Sequence, residues 1–413
     1  MEGIISNSNL FNSIAIVATL IFGLFLVRKK VIDSELWGAT VTPLASIIGS
    51  GFLIVAPLLH SVFGKWAPMG IIVLLVLAYG IGRVIRFNIL YAEGLEFSSH
   101  SFNLKLEKLS QIVLGIAYAI SVAFYISLFT SFISREFGID NIQTMKWITT
   151  VTLLCVMGVS WWRGTKGLER IELIAVTIKL AVIGGVLAAL ASFDIATQTH
   201  WFGHDPIKKL TFFEKMAMLA GMLMVTQGFE TTRFMGEHYS KNIRIQASRN
   251  SQWIAIAIYI LFIGLTCPIF LDFPIVELNE TTISQSLGRA VSVLPLLLLG
   301  AAIASQLSAA LADTIGAGGL LKEIIPSSLS INLYYMIVIG SAIFLIWSAN
   351  VFEIINLASK GFAGFFFLQI LVALNLIRQK FKGVKQFISI LGCLILQAAL
   401  IFVIFFSIPA PHS

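Results

Sequence analysis

Ala45-Ser46-Ile47-Ile48-Gly49-Ser50-Gly51-Phe52 lies midway along an apolar stretch running from Trp37 to His60. A glycine in a helix interior costs about 1 kcal/mol relative to alanine, so Gly49-Ser50-Gly51 predicts that the helix breaks here. A break at bilayer depth is tolerated only where the freed N–H and C=O groups are buried in protein or line a wet cavity. Secondary transporters use such broken helices to hold a ligand at the midplane. The competing reading is a small-residue packing face between membrane helices. The rest of the chain decides between them.

Composition sets the class. Apolar residues make up 57% of the 413 and charged residues 12%, against roughly 45–50% and 25% in soluble domains. This is an all-α integral membrane protein, read as one transmembrane domain spanning 1–413 with no soluble module. Cys155, Cys267 and Cys393 all fall in apolar segments, which argues against a disulfide framework or a metal cluster. His60, His100, His200, His204 and His238 sit at segment ends or in loops without metal spacing. No metal site, cofactor or catalytic nucleophile–base arrangement is predicted. The net charge of +7 follows membrane topology rather than a nucleic-acid surface, so lipid is the expected surrounding and no nucleic acid is expected.

Twelve apolar segments can be counted, each near the ~20 residues that a bilayer demands. They run at about 10–27, 37–60, 68–91, 108–134, 147–162, 171–193, 215–238, 252–272, 291–315, 331–348, 351–377 and 384–407. The first is not a cleavable signal, since it lacks a basic start and a small-residue cleavage site. Placing Arg28-Lys29-Lys30 in the cytoplasm puts nineteen of the 28 basic residues on that side, Arg83, Arg86, Arg233, Arg244 and Arg249 among them. Only seven fall opposite, with Lys179 and Lys360 left inside the membrane. By the positive-inside rule both termini lie outside the cytoplasm. A bacterial inner membrane is the expected location.

A second anomaly sits in segment 215–238, whose centre reads Val225-Thr226-Gln227-Gly228-Phe229-Glu230-Thr231-Thr232-Arg233. The segment with Gly49 crosses inside to outside; with four spans between them, the one with Gly228 crosses the opposite way. Broken helices at matching positions of inverted halves point to an inverted-repeat transporter. The halves are about 37–193 and 215–377, flanked by one extra helix at 10–27 and one C-terminal helix at 384–407.

These residues resemble a family. Gly49-Ser50-Gly51-Phe52 looks like the Ile-Gly-x-Gly-Ile-Phe pattern of the amino acid–polyamine–organocation (APC) permeases. Tyr91-Ala92-Glu93-Gly94-Leu95 is similar to their Tyr-Ala-Glu-Leu-Gly, and Gly228-Phe229-Glu230 to their Gly-Phe-Glu. Glu237-His238-Tyr239-Ser240-Lys241-Asn242-Ile243-Arg244 resembles the acidic loop that follows. Gly164-Thr165-Lys166, Arg170 and Lys179 look like the run leading to a lysine in the fifth core helix. The resemblance covers about 37–377 and implies the leucine-transporter-type fold, a 5+5 inverted repeat with core helices 1 and 6 broken. Departures include the additional first helix, Phe52 in place of isoleucine and His238 in place of a second acid.

The candidate substrate site is built from Ile48, Gly49, Ser50, Gly51 and Phe52 with Thr226, Gln227, Gly228, Phe229 and Glu230. N–H groups at the start of a half-helix suit a carboxylate, and carbonyls near Thr226 and Gln227 suit an ammonium group. Phe52 and Phe229 either wall the pocket or simply pack. Glu230 either touches substrate or stabilises the half-helix after the break. Lys179 lies about nine residues into segment 171–193, roughly 13 Å from its start at 1.5 Å per residue. It either snorkels or serves as an intramembrane proton-exchanging group. Resemblance to the family implies that this lysine stands where sodium-coupled relatives hold an ion, which favours proton coupling or exchange over sodium. Ser305, Ala309 and Asp313 are spaced i, i+4, i+8 and share a face, with Ser308 adjacent. The serines can ligate sodium or meet the ammonium. Asp313 pairs with Lys179 or Lys360, or sits in water. Lys360 is a second relay or gate candidate.

The expected function is a secondary active permease for an amino acid or related small organic ion, working by alternating access. The alternatives are an inorganic-ion transporter on the same fold and a non-transporting membrane sensor. Enzyme activity is not expected. The substrate, the coupling ion and the oligomeric state are not specified by these residues.

Overall fold

The computed structural model describes residues 2–49, 51–93, 102–163, 168–197, 210–236, 238–272, 278–279, 281–325 and 330–410. Side chains are described outside 2–8, 159–163 and 168–172. Ser50, Gly94, Leu95, Gly164-Thr165-Lys166 and Glu237, used above, lie outside the described residues.

The first five helices are α1 (Glu2–Leu26), α2 (Lys29–Ile32), α3 (Glu35–Gly49), α4 (Phe52–Phe63) and α5 (Ala67–Tyr91). Next come α6 (Phe102–Glu136), α7 (Ile142–Arg163), α8 (Leu168–Thr197), α9 (Phe212–Ala220) and α10 (Lys241–Asp272). The chain closes with α11 (Thr282–Ala290), α12 (Leu294–Ile324), α13 (Ile331–Ser348), α14 (Val351–Lys380) and α15 (Gly383–Phe406). Among the described residues, nine helices are long and apolar enough to cross a membrane. The apolar segment 37–60 is split between α3 and α4, and 215–238 begins as α9 and continues as two 3-10 turns, Leu223–Thr226 and Phe229–Phe234.

Several helices outrun their apolar segments. α6 begins at Phe102, α10 at Lys241 and α12 ends at Ile324. Hydropathy reports the solvent around a residue, whereas the i→i−4 ladder continues through polar turns as long as the backbone stays helical. Starts are marked by side chains that satisfy orphan N–H groups. Thr211 with Glu214 forms a capping box at α9, and Asn350 with Glu353 forms another at α14.

The broken helices lie in the interior. Every residue of α4 except Ser61 is buried, and α3 is buried from Ala39 to Gly49 apart from Thr42. α10 packs on α3 and α5, α6 on α12 and α14, and α8 on α12 and α3. α1 and α15 are outer helices, resting on α8 and on α14 respectively. Leu20, Ile21 and Leu24 of α1 and Phe387, Ile388 and Ile395 of α15 are exposed, the apolar outer face that hydrocarbon covers.

Small residues let α1 approach α8. A Cβ on Gly185 would lie 2.0 Å from Thr19 Oγ1 and 2.5 Å from the backbone oxygen of Ala15. A Cβ on Gly184 would lie 2.4 Å from the Phe22 ring. Gly185→Leu is therefore expected to push α1 off α8 at a cost of about 1–3 kcal/mol, read as a lowered Tm in detergent. Gly158→Leu is the control, because nothing lies within 4 Å of a Cβ there. Equal Tm values for the two variants would refute the contact.

Candidate functional site

The two breaks interlock. Gly51 (φ 152°) sits at the start of α4, where its carbonyl accepts from Ile54 and Val55 N–H at 3.0 and 2.9 Å. A Cβ on Gly51 would meet Val225 Cγ2 at 2.7 Å. Gly228 (φ 132°) lies against the opposite break, with a hypothetical Cβ 2.5 Å from Ile47 N. Each break thus presses a glycine onto the other, the close backbone approach that only a missing side chain permits.

Polar side chains from four other helices hold this crossing. Tyr259 of α10 is fully buried, and its hydroxyl lies 3.0 Å from Ile47 O and 2.8 Å from Val225 O. One phenolic proton thus serves a carbonyl on each break. Gln306 of α12 donates to Gly49 O at 3.2 Å. Ser359 of α14 accepts from Met224 N–H at 2.9 Å and donates to Gly221 O at 2.8 Å, so it splices the second break. Gln227 Nε2 donates to Tyr125 Oη of α6 at 3.3 Å. Tyr259→Phe keeps the ring packed on Phe52 but removes the shared hydroxyl. Loss of one partner of a buried hydrogen bond costs about 1–3 kcal/mol, so this variant is expected to show a lower Tm and slower transport. An unchanged Tm would deny the hydroxyl its place as a tie.

Lys179 is 2% exposed and does not snorkel. Its Nζ donates to Ala45 O at 2.9 Å. A Cβ on Gly49 would lie 3.6 Å from Lys179 Nζ, 3.5 Å from Ser305 Oγ and 3.5 Å from Ala309 Cβ. The ammonium, the first break and α12 therefore meet at one point. Of the two serines, Ser305 is at that point, whereas Ser308 donates to Ser305 O along its own helix at 3.1 Å. Serine back-bonding of this kind uses the hydroxyl proton locally.

The other predicted residues take several positions. Ile48 is buried against the core. Thr226 donates to Leu223 O within its own turn at 3.1 Å. Phe52 packs on Phe262 with ring centroids 4.2 Å apart, and Phe229 stacks on Phe366 at 5.4 Å. Both rings are in aromatic packing. Glu230 is fully buried and its Oε2 accepts the Gly228 N–H at 2.7 Å, so its carboxylate secures the turn after the break. Glu230 Oε1 and Gln227 Oε1 have no hydrogen-bond partner in the protein. Lys360 is half-buried, one residue beyond Ser359.

Asp313 is buried and lines a cavity of about 370 Å³ with Thr42, Ser46, Tyr118, Thr231 and Glu323. The cavity runs from Ala45–Ser46, beside the Lys179 contact, to Glu323 near the end of α12. Near that end the polar groups knit the helices. Arg233 pairs with Glu107, and Arg244 pairs with Glu93. Gln369 joins Glu107, Ser110 and Asn88, at 3.1, 2.9 and 2.9 Å. Arg233 and Glu237 are four residues apart, a spacing that suggests an ion pair; Glu237 lies outside the described residues, and Glu107 of α6 pairs with Arg233 across the fold.

A family model described as APC superfamily transporter matches residues 29–407. The chain belongs to the APC superfamily of transporters. An uncharacterized protein of Aquifex aeolicus (strain VF5) is 37% identical over 409 residues, covering 98% of each chain. Among solved structures, a manganese transporter of Eremococcus coleocola aligns at TM-score 0.62 and 14% identity, over 91% of this chain and 88% of that one. Mhp1, a nucleobase–cation symport-1 family transporter, aligns at TM-score 0.58 and 12% identity, over 89% and 90%. These likenesses establish the leucine-transporter-type fold of this APC transporter, and the fold alone, since one fold hosts many substrates.

Proposed function

We propose that this APC superfamily transporter is a secondary permease for an amino acid or related small organic ion, driven by protons or by exchange rather than by sodium. The observation that carries the reading is the place of Lys179. Its ammonium donates to Ala45 O at 2.9 Å and stands beside Gly49 and Ser305, where a carbonyl and a hydroxyl would otherwise be offered to a cation. A fixed positive charge there competes with sodium for the same oxygens and can be discharged by losing its proton.

Substrate is proposed to bind at the crossing of the breaks, with Gln227 Oε1 and Glu230 Oε1 supplying unfilled acceptors for an ammonium group. The halves 37–193 and 215–377 act as inverted repeats in this reading, rocking against each other about the crossing. The cavity that ends at Glu323 is the cytoplasmic route, in keeping with Arg233 and Lys322, the chain neighbours of its lining residues Phe234 and Glu323. Both termini then face away from the cytoplasm, so an epitope at residue 413 should be reached by antibody in intact spheroplasts. Labelling only after lysis would reverse the orientation.

The direct test is uptake by proteoliposomes of a labelled panel of amino acids, amines, a nucleobase and Mn²⁺, under imposed pH or sodium gradients. Uptake of an amino acid or amine that rises with an inward proton gradient, or with preloaded substrate, supports the proposal. Sodium-driven uptake removes the coupling assignment. Accumulation of Mn²⁺ alone favours the inorganic-ion alternative, and binding without flux favours a sensor.

A further inference from the structure

A recess of about 300 Å³ opens between α3 and α10, lined by Ser34, Trp37, Thr40, Asn250 and Trp253 with two aliphatic residues. It lies where the apolar segments of both helices begin, the depth at which tryptophans sit at a membrane–water boundary. Neighbouring α5 packs beside it, against Trp253. Tyr79 of α5 meets Trp253 with ring centroids 5.2 Å apart, and Arg86 lies over the Tyr79 ring at 5.1 Å. Arg83 is one turn beyond Tyr79 on α5, and Arg249 is one turn from Trp253 on α10. The helices run antiparallel, so both arginines fall on the same seam, about one turn nearer the basic end than the aromatic pair, some 5 Å at the helical pitch. Both are exposed, and both are close enough to Arg86 to interact with it electrostatically.

On the opposite rim, α2 carries exposed Lys29 and Lys30 just before Ser34. The exposed acids Asp33 and Glu35 flank Ser34 and offset these two lysines, so the positive excess around the recess comes from Arg83 and Arg249. Trp37 Nε1, a group that only donates, has no acceptor in the protein. The surroundings are thus rich in donors and cations, walled by two indoles, at interfacial depth and outside the transport cavity.

We propose that this recess binds the headgroup of an anionic phospholipid, its phosphate held between Arg83 and Arg249 and its glycerol against Trp37 and Trp253. Guanidinium groups pair with phosphate oxygens through several hydrogen bonds at once, and indoles favour the glycerol level. The occupant is a lipid rather than a free anion because the aromatic walls lead from the charged rim toward the apolar faces of α3 and α10. This inference does not depend on which solute the permease carries.

The test is native mass spectrometry of the full-length protein in detergent, titrated with phosphatidylglycerol or phosphatidylcholine. One retained phosphatidylglycerol is expected, with affinity falling roughly tenfold or more in Arg83→Gln/Arg249→Gln. The double variant should keep wild-type Tm in phosphatidylcholine micelles, since both side chains are exposed. Trp253→Phe, which leaves the charges in place, should weaken binding less. Equal retention of the two lipids, or undiminished phosphatidylglycerol affinity in the double variant, overturns the proposal. Displacement of the lipid by millimolar inorganic phosphate also overturns it, in favour of a free-anion site. Should the double variant lose stability, quenching of wild-type tryptophan fluorescence by brominated phosphatidylglycerol beyond that by brominated phosphatidylcholine decides the matter.

Discussion

Lys179→Ala is expected to abolish the response of uptake to a proton gradient while leaving the protein folded. The side chain is buried, its ammonium is held on Ala45 O, and Gly49 and Ser305 stand beside it. Removing it takes a titratable group out of the point where the first break meets α12. A permease coupled through this group then has no proton to carry, and gradient-driven uptake should fall by roughly tenfold or more, a differential of at least about 1.4 kcal/mol. Exchange between internal and external substrate should suffer less, because exchange needs no net proton movement. The vacated space also exposes Ala45 O and the Ser305 hydroxyl to solvent cations. Sodium stimulation appearing in the alanine variant, absent from the wild type, would be the strongest sign that the ammonium occupies a cation's place. Lys179→Met separates charge from packing, since it keeps a long apolar stem. If alanine and methionine variants both retain full proton-driven uptake, Lys179 is a structural tie to α3 and the coupling group lies elsewhere.

The membrane class, the helix positions and the first break were legible because each has a local signature. Gly49 and Gly51 in an apolar run announce a break whatever they touch. The second break was legible only in part. Gly228-Phe229-Glu230 marks its far end, but α9 already stops at Ala220, six residues before the polar Thr226-Gln227 pair. The intervening stretch, Met222-Leu223-Met224-Val225, contains good helix formers. What opens the helix there is tertiary: Ser359 takes the Met224 N–H and fills the Gly221 carbonyl from another helix. Tyr259 and Gln306 escaped the sequence reading for the same reason. Each is one polar group in an apolar helix, and its partner on the first break lies 212 residues away for Tyr259 and 257 for Gln306. Only a mid-membrane polar tip hinted at them. For Phe52 and Phe229 composition cannot tell a gate from a packed ring; Phe52 lies tilted on Phe262 and Phe229 stacks on Phe366.

Among substitutions at the breaks, Gly228→Ala should have the largest effect on folding. At φ 132° the position is one that a residue with a side chain rarely adopts, and holding alanine in such sparsely populated backbone costs about 1–3 kcal/mol. Space compounds the strain. The new Cβ would fall 2.5 Å from Ile47 N, 2.7 Å from Ser46 Cβ and 2.9 Å from Ser46 C. Two of those atoms are backbone, so relief requires α3 itself to move away from the second break. That displacement would pull Ile47 O from the Tyr259 hydroxyl and shift the Ala45 carbonyl that Lys179 holds. Overpacking adds about 1–3 kcal/mol, and the total is a large share of the 5–15 kcal/mol that holds a typical domain together. Gly51→Ala provides the comparison. Its φ of 152° is similar, yet its contacts are all with the Val225 side chain, the tightest being Cγ2 at 2.7 Å. A valine methyl can turn away where a backbone nitrogen cannot. The expected order of Tm in detergent is therefore wild type above Gly51→Ala above Gly228→Ala, with transport lost most completely in the last. A Gly228→Ala protein as stable as wild type would mean that the two breaks do not press together as described, and would count against the crossing as the proposed substrate site.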